Sequence, residues 1–124
     1  MAENVKNDIF ISYRRKAGGL ETAGRIRDRL KGLGYSVFMD LHNMKTGEKF
    51  PPQIKNAIEN CKDFILVLPP DAEDSTGKLI NALESYWVRY EICYALSLNK
   101  HIIPVQMDGY FFQKKINFLI FQMN

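Results

Sequence analysis

Four short apolar segments along the chain carry the pattern of buried strands. They cover residues 8–13, 35–39, 63–68 and 102–107. Each is a nearly continuous run of apolar residues, whereas a strand with one solvated face would alternate apolar and polar positions. The pattern therefore predicts strands that are covered on both faces.

Apolar residues at helical spacing fill the intervals between these strands. Gly32 and Gly34 mark the end of a first helix, and Pro51 and Pro52 open a short second helix. A third helix is predicted after a polar loop at 71–78 and runs to about Asn99, with its clearest periodicity from Trp87 onward. The buried positions predicted for the three helices are Ala23, Ile26, Leu30 and Leu33, then Ile54, Ala57, Ile58 and Cys61, then Val88, Ile92 and Ala95.

The alternation of strands and helices predicts an α/β fold, a flavodoxin-like open parallel sheet with helices on both faces. We expect the four strands to lie in the order 2-1-3-4. Such a domain normally continues with an edge strand and a covering helix, and the apolar residues 118–124 come where that strand is expected. We therefore expect the C-terminal strand and helix to be truncated and the sequence to be a piece of a longer protein.

Composition is that of an ordinary globular domain. The 124 residues fit one domain, 1–124, with a polar tail at 1–6, and 46% of them are hydrophobic and 25% charged. The net charge of +3 is scattered among acidic residues and does not indicate a nucleic-acid partner. Without an export signal or an apolar run of about 18 residues, the sequence predicts a cytoplasmic location and no membrane span. Cys61 and Cys93 are expected to be buried thiols.

Ligands of open α/β sheets bind beyond the carboxyl ends of the strands. That rule selects the ends of the first two strands and one face of the third helix, namely Ser12, Tyr13, Arg14, Arg15, Asp40, Trp87 and Glu91. Each has an ordinary alternative as a solvated charge, a core aromatic residue, a turn cap or an ion-pair partner. Their convergence on one rim favours a binding site.

Two phosphate-handling functions of this topology are excluded. A phosphoacceptor receiver needs paired acids at a strand end to hold Mg²⁺, and no second acid accompanies Asp40. Gly18 and Gly19 alone do not make a GxGxxG or Walker pattern. We also expect no metal site.

Several motifs, in the expected order, resemble those of Toll/interleukin-1 receptor (TIR) domains. They are the strand segments 8–15 (DIFISYRR), 34–40 (GYSVFMD), 63–69 (DFILVLP) and 102–105 (IIPV), the segment 43–47 (NMKTG), which resembles the BB loop, and 87–91 (WVRYE). The last is similar to the WxxxE pattern of the enzymatic branch. The resemblance covers residues 7 to 107 and is to bacterial-type TIR proteins and to the neuronal TIR NADases of animals.

The resemblance implies cleavage of NAD⁺ at the nicotinamide–ribose bond, with NAD⁺ as substrate and no separate cofactor. It implies Glu91 as the catalytic carboxylate, since positive charge develops on the ribose much as in glycoside hydrolysis. The residues implied to contact the substrate are Ser12, Tyr13, Arg14, Asp40, Lys45, Gly47 and Trp87. The chain departs from the neuronal enzymes at Asn43, where they carry lysine. TIR NADases self-associate through the BB loop, so Phe50 is either an exposed anchor for a second copy or part of its own core.

Three functions stay open from the sequence. The first is an NAD⁺ glycohydrolase or ADP-ribose cyclase, an effector of antiphage immunity or cell suicide fused to a sensor domain that the sequence does not name. The second is a non-catalytic adaptor that assembles with other TIR domains. The third is a nucleoside deoxyribosyltransferase-like transferase, which shares the fold and a carboxylate nucleophile. Glu91 in the WxxxE setting favours the enzyme.

Overall fold

The computed structural model describes residues 8–40 and 49–111 of the chain. Its elements, in order, are β1 (Ile9–Tyr13), α1 (Gly19–Gly32), β2 (Val37–Met39), α2 (Pro52–Asn60), β3 (Asp63–Leu68), β4 (Ala72–Glu73), β5 (Leu79–Ile80), a single 3-10 turn (Ala82–Glu84), α3 (Tyr86–Ser97) and β6 (His101–Gln106). The segments 43–47 and 118–124, to which the sequence assigns a loop and a strand, lie outside the described residues.

Four of the strands form one parallel sheet in the order β2-β1-β3-β6. β1 pairs with β3 along its whole length, from Ile9 beside Asp63 to Tyr13 beside Val67. The predicted α/β class and the order 2-1-3-4 are confirmed, with β6 as the fourth strand of the prediction. The second strand begins at Val37, two positions later than its apolar pattern suggests.

Each face of the sheet carries its own apolar core, which is why the strands lack polar alternation. On one face Phe10 stacks between Phe38 and Phe64, with ring centroids 5.4 and 5.2 Å apart, beneath α2 and α3. On the other face Ile9 and Ile11 pack beneath α1. Successive residues of β1 therefore face different helices, and this alternation continues to the carboxyl end of the strand.

The connection from β1 to α1 is too tight for a side chain at Gly19. A Cβ at that position would lie 1.9 Å from the carbonyl oxygen of Arg14. Helix α1 then ends at Gly32, so Leu33 falls outside it and is 67% exposed. The prediction that Leu33 belongs to the apolar stripe of this helix is wrong, because the helix stops before the stripe reaches it.

A small antiparallel hairpin, β4–β5, lies between β3 and α3, with Ala72 opposite Ile80. The carboxylate of Asp74 closes its turn by accepting the backbone N–H groups of Thr76 and Lys78, at 2.8 and 3.1 Å. The sequence predicts a loop here, followed directly by the third helix. That prediction is corrected: the turn residues join two strands, and α3 begins only at Tyr86.

Asn81, which is fully buried, ties this hairpin to the start of α3 and to the chain after β6. The partners of its side chain are the Leu83 N–H and the Tyr110 hydroxyl, each at 3.0 Å, the Asp71 carboxylate at 3.2 Å and the Phe111 carbonyl at 3.1 Å. Its own N–H donates to the Glu84 carboxylate at 2.9 Å, which completes a capping box. The position of α3 is thus fixed before its first residue.

β6 forms one edge of the described sheet and contains Pro104. The Met107 N–H, three residues later, donates to the Leu68 carbonyl of β3 at 3.0 Å. Because backbone groups alternate in direction along a strand, the nitrogen of Pro104 faces away from β3. The missing donor therefore costs the described sheet no hydrogen bond, as expected for proline in an edge strand.

We expect Asn81→Ala to lower the free energy of unfolding by about 2–3 kcal/mol, because it leaves several buried donors and acceptors without partners. The matched control is Asn60→Ala, since Asn60 is exposed and makes a side-chain bond to the Asn56 carbonyl. That change should stay within about 0.5 kcal/mol. Urea denaturation followed by circular dichroism measures both. Equal losses in the two variants would contradict the role assigned to Asn81.

Candidate active site

The carboxyl side chain of Glu91 lies buried between α3 and the carboxyl end of β1. Glu91 is 6% exposed, and its Oε1 accepts a hydrogen bond of 2.6 Å from the hydroxyl of Ser12. Ser12 shares the face of β1 on which Phe10 packs, and this face is covered by α3. The strand pattern therefore sends a hydroxyl, and not another apolar group, toward the helix that carries the acid.

Burial raises the pKa of Glu91 from its ordinary 4.5 to about 8. Loss of solvation is the largest cause, since a charged carboxylate is costly away from water. The Ser12 hydroxyl works in the opposite direction by stabilising the ionised form, and the negative charge of Asp40 raises the pKa further. A carboxyl group perturbed in this way at the ligand-binding edge of an α/β sheet is typical of a functional site.

Asp40 and Tyr13 complete this part of the rim. The register of β1 and β2 pairs Ile11 with Met39, so Asp40 follows β2 beside Ser12. The Tyr13 hydroxyl donates to the Asp40 backbone carbonyl, and partial burial raises the pKa of that hydroxyl. The structure thus brings together Ser12, Tyr13, Asp40 and Glu91, four of the residues that the sequence selects.

Arg14 belongs to the same rim but is directed elsewhere. Its guanidinium donates to the carbonyls of Glu73, at 3.0 Å, and Ile80, at 3.1 Å, one on each strand of the β4–β5 hairpin. Lys16 also donates to the Glu73 carbonyl. The sequence-based role for Arg14, contact with the substrate, stays a prediction, while its present partners are backbone carbonyls.

Trp87 lies one turn before Glu91 on α3, within a cluster of aromatic rings. Its indole stacks on the ring of Phe50, with centroids 6.0 Å apart. The ring centroid of Phe50 also lies 5.2 Å from that of Tyr90 and 5.8 Å from that of Tyr94. Of the two interpretations of Phe50, the structure shows packing within its own domain. Trp87 therefore forms an aromatic side of the region next to Glu91.

Two residues predicted to contact the substrate, Lys45 and Gly47, lie outside the described residues. Within the described ranges there is no group of three or more His, Cys, Asp or Glu side chains able to hold a metal ion. Across those same ranges, no helix has the length and apolar character needed to cross a bilayer. Both cysteines are free thiols, as predicted; Cys61 is buried, whereas Cys93, also expected to be buried, is only half-buried.

The sequence-based selection missed the hairpin and Asn81, which connect the rim to α3. Signals for both exist in the chain. Asp74-Ser-Thr-Gly77 is a turn sequence, and Asn81 followed three residues later by Glu84 has the spacing of a capping box. The two strands beside that turn have two residues each, which is too short to show the periodicity of a strand, so the sequence predicted a loop.

Comparison with known proteins supplies relatives for this arrangement. The chain is similar to the NAD(+) hydrolase sarm1 of Drosophila melanogaster, with 39% identity over 99 residues, which are 79% of this chain and 7% of that protein. It is also similar to the NAD(+) hydrolase tir-1 of Caenorhabditis elegans, with 36% identity over 108 residues, 87% of this chain and 11% of that protein. The chain therefore spans only a small part of the length of these relatives.

Solved structures share the fold at lower identity. The TIR domains of the activated Roq1 resistosome, which recognises the pathogen effector XopQ, align with a TM-score of 0.60 and 20% identity, covering 83% of this chain and 58% of theirs. A metazoan TIR-STING receptor from C. gigas aligns with a TM-score of 0.54 and 20% identity, covering 95% of this chain and 40% of the other. At this identity the likeness concerns the fold alone.

A family model matches residues 9–122, nearly the whole chain, and is that of the TIR domain. The matched segment includes the four-stranded parallel sheet and the helix that carries Glu91. With this match and with relatives 36–39% identical over most of its length, the chain belongs to the TIR domain family.

Proposed function

We propose that this TIR domain cleaves NAD⁺ at the bond between nicotinamide and ribose, with Glu91 as the catalytic carboxylate. The observation that carries the proposal is the buried Glu91 carboxyl, held by the Ser12 hydroxyl at 2.6 Å on the ligand-binding edge of the sheet. The relatives named NAD(+) hydrolases support the substrate class. Water and NAD⁺ become nicotinamide, ADP-ribose and a proton.

A desolvated carboxylate suits the charge changes of this reaction. Breaking the C–N bond moves positive charge from the nicotinamide ring to the ribose, while nicotinamide leaves as a neutral molecule. A fixed negative charge beside the ribose stabilises that oxocarbenium-like state, or attacks it to form a covalent intermediate. Because the leaving group is already cationic in NAD⁺, no strong general acid is required. One carboxylate is therefore sufficient.

The other residues are proposed to enclose the substrate. Trp87 offers an aromatic side to the pocket, and Tyr13 and Asp40 border the ribose next to Glu91. Lys45 is proposed to approach the diphosphate as a point charge, and Gly47, in the same segment that resembles the BB loop, is proposed to contact the substrate. The proposal extends to a linear or cyclic ADP-ribose product and to a bacterial-type effector of antiphage immunity or cell suicide, joined to a sensor domain. A TIR–TIR adaptor, and more distantly a deoxyribosyltransferase-like enzyme, are the alternatives.

We expect Glu91→Gln to abolish NAD⁺ cleavage, with a rate at least 10²–10³-fold lower, while the fold is preserved. Glutamine keeps the shape and can still accept from Ser12, but it supplies no negative charge to the ribosyl cation. Nicotinamide release at matched protein concentration measures the effect, with circular dichroism as a check of folding.

Glu21→Gln is the matched control, since Glu21 is an exposed acid in the first turn of α1. This variant should retain full activity. A folded Glu91→Gln protein that still releases nicotinamide would remove Glu91 from the catalytic role. Wild-type protein that releases none, at any concentration, would favour the adaptor.

We expect kcat/KM for NAD⁺ to fall as the pH drops below about 8, because kcat/KM reports ionisation in the free protein and Glu91 must be ionised to act. The limb seen in kcat should lie at lower pH, since the bound nicotinamide cation favours the carboxylate. Initial rates across pH 5–9.5 measure both limbs. An acid limb of kcat/KM near pH 4.5 would contradict the burial argument.

The same pKa has a consequence for stability that needs no turnover. A carboxyl whose pKa is raised in the folded state holds its proton there after the unfolded chain has lost it. Between pH 4.5 and 8 the wild type should therefore lose stability relative to Glu91→Gln as the pH rises, by about 1.4 kcal/mol per pH unit. Urea denaturation at several pH values compares the two proteins, and parallel curves would count against the raised pKa.

We also expect the specific activity to rise with protein concentration, because TIR NADases are proposed to need self-association. Sedimentation velocity identifies the concentration range of the monomer, and nicotinamide release is measured across that range. Activity that increases more than linearly supports assembly. Strictly linear activity down to verified monomer would argue against it.

A further inference from the structure

Arg14 is one of the few buried charged side chains of the described chain, and its guanidinium binds both strands of the β4–β5 hairpin. Only 7% of the residue is exposed. Its two terminal nitrogens each donate to one strand of the hairpin, to Glu73 in β4 and to Ile80 in β5. Burial lowers the pKa of the guanidinium, and the nearby carboxylates of Asp74 and Asp71 oppose that shift. The charge is thus stabilised by the hairpin that it holds.

The hairpin that Arg14 contacts is connected through the chain to α3, the helix that carries Glu91. Ile80, whose carbonyl accepts from Arg14, directly precedes the buried Asn81. Asn81 caps the 3-10 turn that leads into α3, and α3 carries Glu91. β1 is therefore joined to α3 twice: directly by Ser12 and Glu91, and again by Arg14 through the hairpin. Ser12 lies in β1, and Arg14 directly follows the last residue of that strand, two positions later.

We propose that Arg14 is a positioning residue, which clamps the hairpin to the end of β1 and thereby keeps Glu91 against Ser12. The effect of this clamp on catalysis rests on the proposed function. Its effect on the position of Glu91 rests only on contacts within the free protein. Arginine suits the task because its planar fork presents two parallel donors to two carbonyls, whereas lysine offers a single point charge on a flexible stem. To reach a substrate phosphate, Arg14 would have to release both carbonyls.

Arg14→Lys keeps the positive charge but cannot span both strands of the hairpin. Above pH 8, where Glu91 is ionised in both proteins, we expect kcat for NAD⁺ to fall about 10–100-fold, since a displacement of about 1 Å costs on the order of 10²-fold. KM should change less than about threefold. Arg29→Lys, the same substitution at an exposed position of α1, should match the wild type. Unchanged kcat in a folded Arg14→Lys protein overturns the proposal.

A second substrate separates positioning from direct binding. Nicotinamide riboside carries the scissile bond and no phosphate. If Arg14 positions Glu91, Arg14→Lys should lower kcat by the same factor on nicotinamide riboside as on NAD⁺, because the displaced Glu91 carboxylate acts on the same bond in both substrates. If Arg14 bound the diphosphate, Arg14→Lys would raise KM for NAD⁺ and spare the riboside, and the proposal would be wrong.

The free protein provides a readout that does not depend on turnover. The carboxyl carbon of Glu91, followed by NMR as a function of pH, reports its pKa directly. Its environment is set by burial, by Ser12 and Tyr13 from β1 and by Asp40 after β2. We expect the pKa of Glu91 to fall in Arg14→Lys, because water enters when the hairpin loosens and loss of burial outweighs loss of the Ser12 bond. An unchanged pKa overturns the clamp even where NAD⁺ cleavage itself is absent.

Asp74→Ala tests the same proposal by weakening the hairpin instead of Arg14. It applies even if Arg14→Lys fails to fold. This change weakens the hairpin turn, where Asp74 accepts the N–H groups of Thr76 and Lys78, and leaves the core intact. The pKa of Glu91 should move in the same direction, by a smaller amount. Hydrogen exchange of the hairpin amides should increase in both variants. A loosened hairpin with an unshifted Glu91 pKa would show that the two are not coupled.

Discussion

The contact between the Ser12 hydroxyl and the buried carboxyl of Glu91 is the constraint on which the rest of this structure depends. Away from water the carboxyl resists ionisation, and the hydroxyl partly restores the ionised form. The burial requires α3 to pack against the carboxyl end of β1, and the hydrogen bond requires the two elements to stay at hydrogen-bonding distance. The sheet, its two cores and the connections into α3 all serve to hold that distance.

The central position of β1 gives its last residues different surroundings. It lies between β2 and β3 and is covered on both faces. Because side chains alternate along a strand, Ser12 faces α3, while Tyr13 turns the other way and reaches the end of β2. Arg14, which directly follows the strand, donates to both strands of the hairpin. Three consecutive residues thus connect three separate elements at one rim.

The sequence predicted those parts of the structure that follow from local periodicity. Continuous apolar runs located the four sheet strands, and spacing along α3 put Trp87 and Glu91 on one side of that helix. The partners of Arg14 could not be predicted, because backbone carbonyls carry no sequence signature. Leu33 was misplaced since periodicity does not show where a helix stops. For Phe50, two interpretations stayed open until the aromatic neighbours were visible.

Pro104 bears on how such domains remain separate from one another. An edge strand offers a ladder of unpaired backbone groups, to which a strand of another chain can add indefinitely. Within the described sheet, Pro104 removes the donor between positions 102 and 106 on the side of β6 that faces away from β3. Any strand that pairs along that side, from the same chain or from another, therefore forms one hydrogen bond fewer at its centre. A second copy of the chain that paired there would lose that bond as well, so the proline disfavours association through a continuous sheet.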